Sequence, residues 1–191
     1  MVSEAHRHKL ADVLAKCTGQ TPRFYWSESS RRGLVSAYQD PSRMGADRWH
    51  GMYGAWLRCR SGFAVVDAGS AVTVDFVAAD GRHLGGYILP GRNMMLRSLK
   101  SDAARIGFEP DAVDAAEPGT DTGECVLHGQ VWLKEALEAR LQADMARYGL
   151  GTLFLTGGDA NLFGFSGVTV DRSPSLVLDG LEAIVREEAA R

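Results

Sequence analysis

The stretch from Phe63 to Gly91 constrains this chain most. Three apolar runs, "FAVVDAG", "AVTVDFVAA" and "HLGGYILPG", follow one another with a tight Asp-Ala-Gly-Ser connection and an Asp80-Gly81 turn between them. Alternating or continuous apolar runs bounded by such turns read as strands, and the three predict an antiparallel meander. What precedes and follows it is helical in period. Residues 4 to 18 place Leu10, Val13, Leu14 and Cys17 at helical spacing behind Ser3 as N-cap, with Gly19 as the stop. "RFYWSES" after Pro22 reads as a short strand, and a second helix opens near Met44 with Trp49, Met52, Tyr53 and Trp56 on one face, a stripe read as core or subunit interface.

Beyond the meander, a helix runs along Met95, Leu99, Ala103 and Ile106 to Gly107, then a polar loop from about Glu109 to Gly123. The longest helix carries Leu133, Leu137, Leu141, Met145 and Tyr148 and stops at Gly149. "TLFLTGGDA" is a buried strand broken by Gly157-Gly158, and the last helix has Leu178, Leu181 and Val185 facing inward. A meander followed by alternating helix, strand and helix predicts an α/β lobe, with residues 1–60 as part of another and 61–191 as the C-terminal one.

The chain of 191 residues, 45% hydrophobic, can supply a core. A formal charge of -3 with scattered arginines gives no cationic field for a polyanion, so nucleic acid is not the expected partner. No apolar run approaches the roughly 18 residues of a membrane span. "MVSEAHRHKLADVLAKC" lacks the apolar segment of a secretory signal, so a cytoplasmic protein is expected. The three cysteines, Cys17, Cys59 and Cys125, form no CxxC pair and are expected to be reduced. The five histidines show no metal-binding spacing and read as solvated or packed.

Three stretches carry candidate chemistry. A strand ending in Asp67-Ala-Gly-Ser can present a carboxylate, a hydroxyl and backbone N–H groups together, a concavity suited to phosphate or a metal-phosphate pair. The same four residues also make an ordinary hairpin. In "MGADRWHGMYGAW", Asp47 and Arg48 sit at the entrance to an apolar helix, where the guanidinium can grip a ligand carboxylate or carbonyl. The alternative is a first-turn helix acid beside a surface ion pair. The glycine turn of "FLTGGDA" allows close approach of a flat or charged ligand, or is a plain strand-to-loop turn.

In order, Tyr38, "GADRW", "DAGSAVTVD", "GGYILPG", "TDTGECVLHG", "LTGGDA" and "LVLDGL" resemble the type III pantothenate kinases over nearly the whole length. The resemblance implies the two-lobed, actin-like and ribonuclease H-like α/β fold of the acetate and sugar kinase/Hsc70/actin superfamily, and a homodimer. It implies transfer of the ATP γ-phosphoryl group to pantothenate, giving 4'-phosphopantothenate in the first step of coenzyme A biosynthesis, with magnesium and a monovalent cation, potassium or ammonium.

Carried over by motif, Asp47 is the proton acceptor, and Tyr38, Gly45, Ala46 and Arg48 line the pantothenate site. Asp67 binds the cation. Ser70, where the family usually has threonine, and Gly69 contact ATP, and Gly157 and Gly158 sit by its adenine. Thr122 reaches the substrate across the dimer interface. Family members begin with an Asp-x-Gly-Asn phosphate loop that this sequence does not contain, and Met1 aligns inside the first lobe. The expectation is therefore an N-terminally truncated kinase with an incomplete first lobe. The alternative is a catalytically impaired pantothenate-binding or regulatory accessory protein, and a third reading is another small-molecule kinase of the same fold.

Overall fold

The computed structural model describes residues 4–103, 106–108 and 115–190; the proposed cap Ser3 and the first half of the 109–123 loop lie outside them. Its centre is the meander. β3 (Phe63–Ala68), β4 (Ala71–Val77) and β5 (His83–Pro90) pair antiparallel. β6 (Thr152–Thr156) and β7 (Thr169–Arg172) extend the sheet in parallel on the other side of β3, giving the order β5-β4-β3-β6-β7. The parallel β3–β6 pairing needs a long crossover. α3 (Arg92–Asp102) and α4 (Thr122–Tyr148) provide it.

Strand alternation sorts the core into two layers. Phe63, Val65, Val77 and Phe154 face α2 (Ala46–Arg58) and α5 (Leu176–Ala189), while Ala64, Val66, Ala68, Val72, Val74, Leu153 and Leu155 face Leu141 and Met145 of α4. The same parity puts Asp67 and Asp75 on the α2 side, because they are in step with Val65 and Val77. All four members of the predicted α2 stripe, Trp49, Met52, Tyr53 and Trp56, are buried there. They are core.

The helix ends follow ordinary capping physics. Asp121 accepts a hydrogen bond from the Glu124 amide at 2.9 Å, the Glu124 side chain reaches back to the Thr120 amide at 2.8 Å, and Gly149 closes α4 in the left-handed conformation. α1 (Glu4–Thr18) forms where expected, but its stripe of Leu10, Val13 and Leu14 is exposed.

Three expectations are corrected. "RFYWSES" makes no strand; the hairpin lies just after it, β1 (Ser30–Arg31) and β2 (Leu34–Val35), joined by Arg32 and Gly33, both at positive φ as a tight two-residue turn requires. α3 stops at Asp102. α5 is rotated from the expected face: Leu178 and Val185 are exposed, and Leu176, Gly180 and Ile184 point inward. Glycine is buried there because α2 and α5 cross too closely for any side chain. β7 was not anticipated: in a short edge strand of Thr, Val, Asp and Arg, one valine sets no period.

Candidate active site

The N-terminus of α2 opens onto the carboxyl end of β3. Gly45 caps the helix without a side chain, and a Cβ there would run into the Asp47 carboxylate, which folds back over the first turn and accepts the Arg48 amide at 2.8 Å. The positive end of the helix favours the ionised form of an acid at this place. Asp47 stays exposed and Ala46 half-buried, while Arg48 turns inward. His50, one turn further on, is buried, and burial pushes its pKa down against the pull of Asp47.

Opposite stands the Asp67-Ala-Gly-Ser turn. Asp67 is half-buried, and its pKa is raised first by burial and then by the charge of Asp47. Two carboxylates that repel across a cleft are a setting in which a bound cation is favourable. The pair therefore fits a cation. Among the described residues, no group of three or more acidic, His or Cys side chains could hold a metal by itself. Phosphate oxygens and water would have to complete any coordination sphere.

The turn is braced by two other glycine segments. The Gly91 amide donates to the Ser70 carbonyl at 3.0 Å, where a Cβ on Gly91 would come within 2.7 Å of that oxygen. Gly157, at φ 94°, lies so close that its Cβ would stand 2.5 Å from Asp67 Oδ1, and the Asp159 amide donates to the Ala68 carbonyl at 2.8 Å. Only glycine satisfies both the backbone angle and the approach. Ser70 and Gly158 face open space, and Gly69 is half-buried. Beside the Gly157-Gly158 turn, a mainly aliphatic hollow of about 530 Å³ lies between Val72, Leu89, Met95, Leu137 and Phe163, with Asp159 and Arg92 at its border.

Arg48 is buried except for a small edge of its side chain. Its Nε and Nη2 donate to Asp75 at 2.9 and 2.6 Å, and Nη1 donates to the Tyr38 hydroxyl at 3.0 Å. Burial alone would lower the Arg48 pKa, but hydrogen bonds and charge from Asp75, joined by Tyr38, carry it above the usual arginine value. The surface ion-pair alternative for Arg48 is thus replaced by a buried one. Asp75 also takes a 2.9 Å contact from His83 Nε2. Neither residue was singled out from the sequence, although the shared parity of Asp67 and Asp75 on adjacent strands was a usable signal.

Asp47, Arg48, Asp67, Ser70 and Gly157 thus gather around one cleft, with Tyr38 at its side. Thr122 stands apart: it is the exposed first residue of α4, beside a hollow that also touches Gly129 and Ile106 but none of those residues. Cys17 and Cys125 are exposed, Cys59 is half-buried, and all three are free. No helix among the described residues is long and apolar enough to cross a membrane.

A meander continued by parallel strands, with a glycine-bearing acidic turn at the end of β3 and a second glycine turn after β6, defines an actin-like, ribonuclease H-like α/β lobe. The profile of one such family, described as type III pantothenate kinase, matches residues 1–141. A type III pantothenate kinase of Marinobacter nauticus is 53% identical over 96% of this chain and 76% of its own length. Another from Chromohalobacter salexigens is 36% identical over 98% of this chain and 70% of its own. Among solved structures, a conserved putative Baf family transcriptional activator from Campylobacter jejuni superposes with a TM-score of 0.59 at 25% identity, covering 83% of this chain and 70% of that one. The chain belongs to the type III pantothenate kinases.

Proposed function

We propose that the chain phosphorylates pantothenate with ATP, giving 4'-phosphopantothenate, the first step of coenzyme A biosynthesis. The observation that carries this reading is the placement of Asp47, at the head of α2, across a cleft from Asp67 in a turn of backbone and hydroxyl groups. Phosphoryl transfer passes through a loose transition state, so orienting the attacking hydroxyl matters more than strong basicity. An exposed carboxylate at a helix N-terminus serves that purpose. Asp47 accepts the proton of the primary hydroxyl of pantothenate, with Gly45, Ala46, Arg48 and Tyr38 around the acceptor.

Ser70 and the Gly69 backbone would take the phosphates of magnesium-ATP, and Asp67 would hold the monovalent cation, potassium or ammonium. Bound there, the cation supplies the positive charge that offsets the phosphates and the two carboxylates. The adenine lies against Gly157 and Gly158, at the mouth of the apolar hollow. Thr122 completes the acceptor pocket of a second copy in a homodimer, which accords with its distance from the cleft of its own chain. Residues 61–191 are taken as the C-terminal lobe, residues 1–60 as the remainder of the N-terminal one with its α2 packed on the sheet and α5 of the other, and the protein as cytoplasmic.

The test is direct. With pantothenate, ATP, magnesium and potassium, the chain is expected to yield 4'-phosphopantothenate detectable by mass spectrometry, with matching ADP, and to lose that yield when sodium replaces potassium. ATP consumption with no phosphorylated pantothenate would overturn the assignment of the acceptor.

A further inference from the structure

Directly behind the acceptor-side residues lies a buried polar cluster to which neither the motifs nor the relatives' names assign a role. We propose that Asp75 and His83 are positioning residues for acceptor recognition: together they fix Arg48 and Tyr38 in one arrangement before the substrate arrives. This rests on the reading of Arg48 and Tyr38 as pantothenate-side residues.

The geometry is closed on three sides. Asp75 holds Arg48 side-on through Nε and Nη2, and the two side chains are only 2% and 5% exposed. Such a bidentate grip fixes the plane of the guanidinium, which a single contact would not. Nη1 is then aimed at the Tyr38 hydroxyl. Because that oxygen accepts from Arg48, its own O–H is left to donate outward. The pair therefore offers a phenol O–H and the remaining guanidinium N–H groups, a donor set matched to a carboxylate or amide oxygen of the acceptor substrate.

His83 joins the two halves. Its Nε2 meets Asp75 Oδ1 at 2.9 Å, its Nδ1 accepts the Ala37 amide at 3.4 Å, and its ring stacks parallel on Tyr38 with centroids 6.5 Å apart. An accepting Nδ1 puts the ring hydrogen on Nε2, toward the carboxylate. β5 seals the cluster from water: a Cβ on Gly86 would stand 2.5 Å from Asp75 Oδ1 and 2.9 Å from Arg48 Nη2. A tie between α2 and β4 needs no ions, since apolar packing does that at lower desolvation cost. What the ionic version adds is orientation.

The experiment measures pantothenate and ATP affinities separately by calorimetry, on the whole chain and its variants, with melting temperatures alongside. Asp75→Asn is expected to weaken pantothenate by about tenfold while ATP affinity stays within about twofold. His83→Leu, which removes no charge and serves where Asp75→Asn does not fold, is expected to weaken pantothenate by about threefold, with His83→Gln restoring most of it. If either variant lowers only the melting temperature, or weakens both ligands in parallel, the cluster is a structural tie and the proposal falls. Arg48→Met separates the two levels. If it leaves pantothenate binding intact, or if the unaltered chain binds no pantothenate, the site reading fails and this inference with it. If Arg48→Met weakens binding but the Asp75 and His83 variants do not, only the inference fails.

Discussion

Gly54 on α2 and Gly180 on α5 meet backbone to backbone. A Cβ on Gly180 would stand 2.9 Å from the Gly54 nitrogen, and one on Gly54 would stand 3.2 Å from the Gly180 nitrogen and 2.6 Å from the Leu176 carbonyl oxygen. This crossing fixes α2 against the sheet, and α2 carries Asp47 and Arg48 at its head. The cleft is therefore set by a contact further along α2, from His50 to Gly54.

Gly180→Ala forces the helices apart and is expected to cost about 2–3 kcal/mol in chemical denaturation, with a loss of pantothenate affinity as α2 shifts. Gly129→Ala gives the contrast. It lies inside α4 with no neighbour near its Cβ position, so alanine is expected to raise stability by about 0.5–1 kcal/mol. Equal losses at the two positions would show that the α2–α5 crossing is not the special contact.

Gly157→Ala probes the brace between the two glycine turns. At φ 94°, with Asp67 Oδ1 2.5 Å from the added carbon, the turn has to move off the Asp67 segment. The expected outcome is about 1–3 kcal/mol of lost stability and about tenfold weaker ATP binding by calorimetry. Unchanged ATP affinity would separate this turn from the nucleotide site.

What could be read from the sequence was what depends on local period and turn chemistry. The meander was legible because Val72, Val74 and Phe76 alternate with smaller or polar residues between the Asp-Ala-Gly-Ser connection and the Asp80-Gly81 turn, and the Gly149 stop because only glycine takes that backbone angle cheaply. α5 misled because Leu178, Leu181 and Val185 keep helical period as well as Leu176, Gly180 and Ile184 do. The residue that decides between these faces is a glycine, which has no hydrophobic signal. Asp47 and Asp67 were named as candidates by motif, yet the Arg48–Asp75 pair was not, since its partners are 27 residues apart on different elements. Recognising it needs strand parity and helix placement together.

Asp67 should leave a signature in the pH dependence of stability. Burial and Asp47 raise its folded-state pKa above the ordinary 3.8. A raised carboxylate holds its proton more tightly when folded, so it is a burden on stability at pH above the folded value. That burden lifts as pH falls toward 3.8. Asp67→Asn is therefore expected to melt higher than the unaltered chain at about pH 7 and to lose this advantage by about pH 4. Potassium should stabilise the unaltered chain and not the variant. A constant difference across the range would mean that Asp67 carries no electrostatic strain.

Asp47→Asn tests the chemistry itself. The amide keeps the size of the side chain and an oxygen able to accept the Arg48 amide, as Asp47 does at 2.8 Å, but it cannot take a proton from the substrate hydroxyl. Turnover is expected to fall by about 10²–10⁴-fold, with pantothenate and ATP affinities close to those of the unaltered chain. The substitution also removes the charge that helps raise the Asp67 pKa, so the acid-side stability shift traced to Asp67 should shrink in the same variant. Titrating stability in Asp47→Asn thus checks, independently of turnover, that the two carboxylates face one another across the cleft. A variant that keeps full turnover would remove Asp47 from the proton-acceptor role and leave it as a helix-terminal acid.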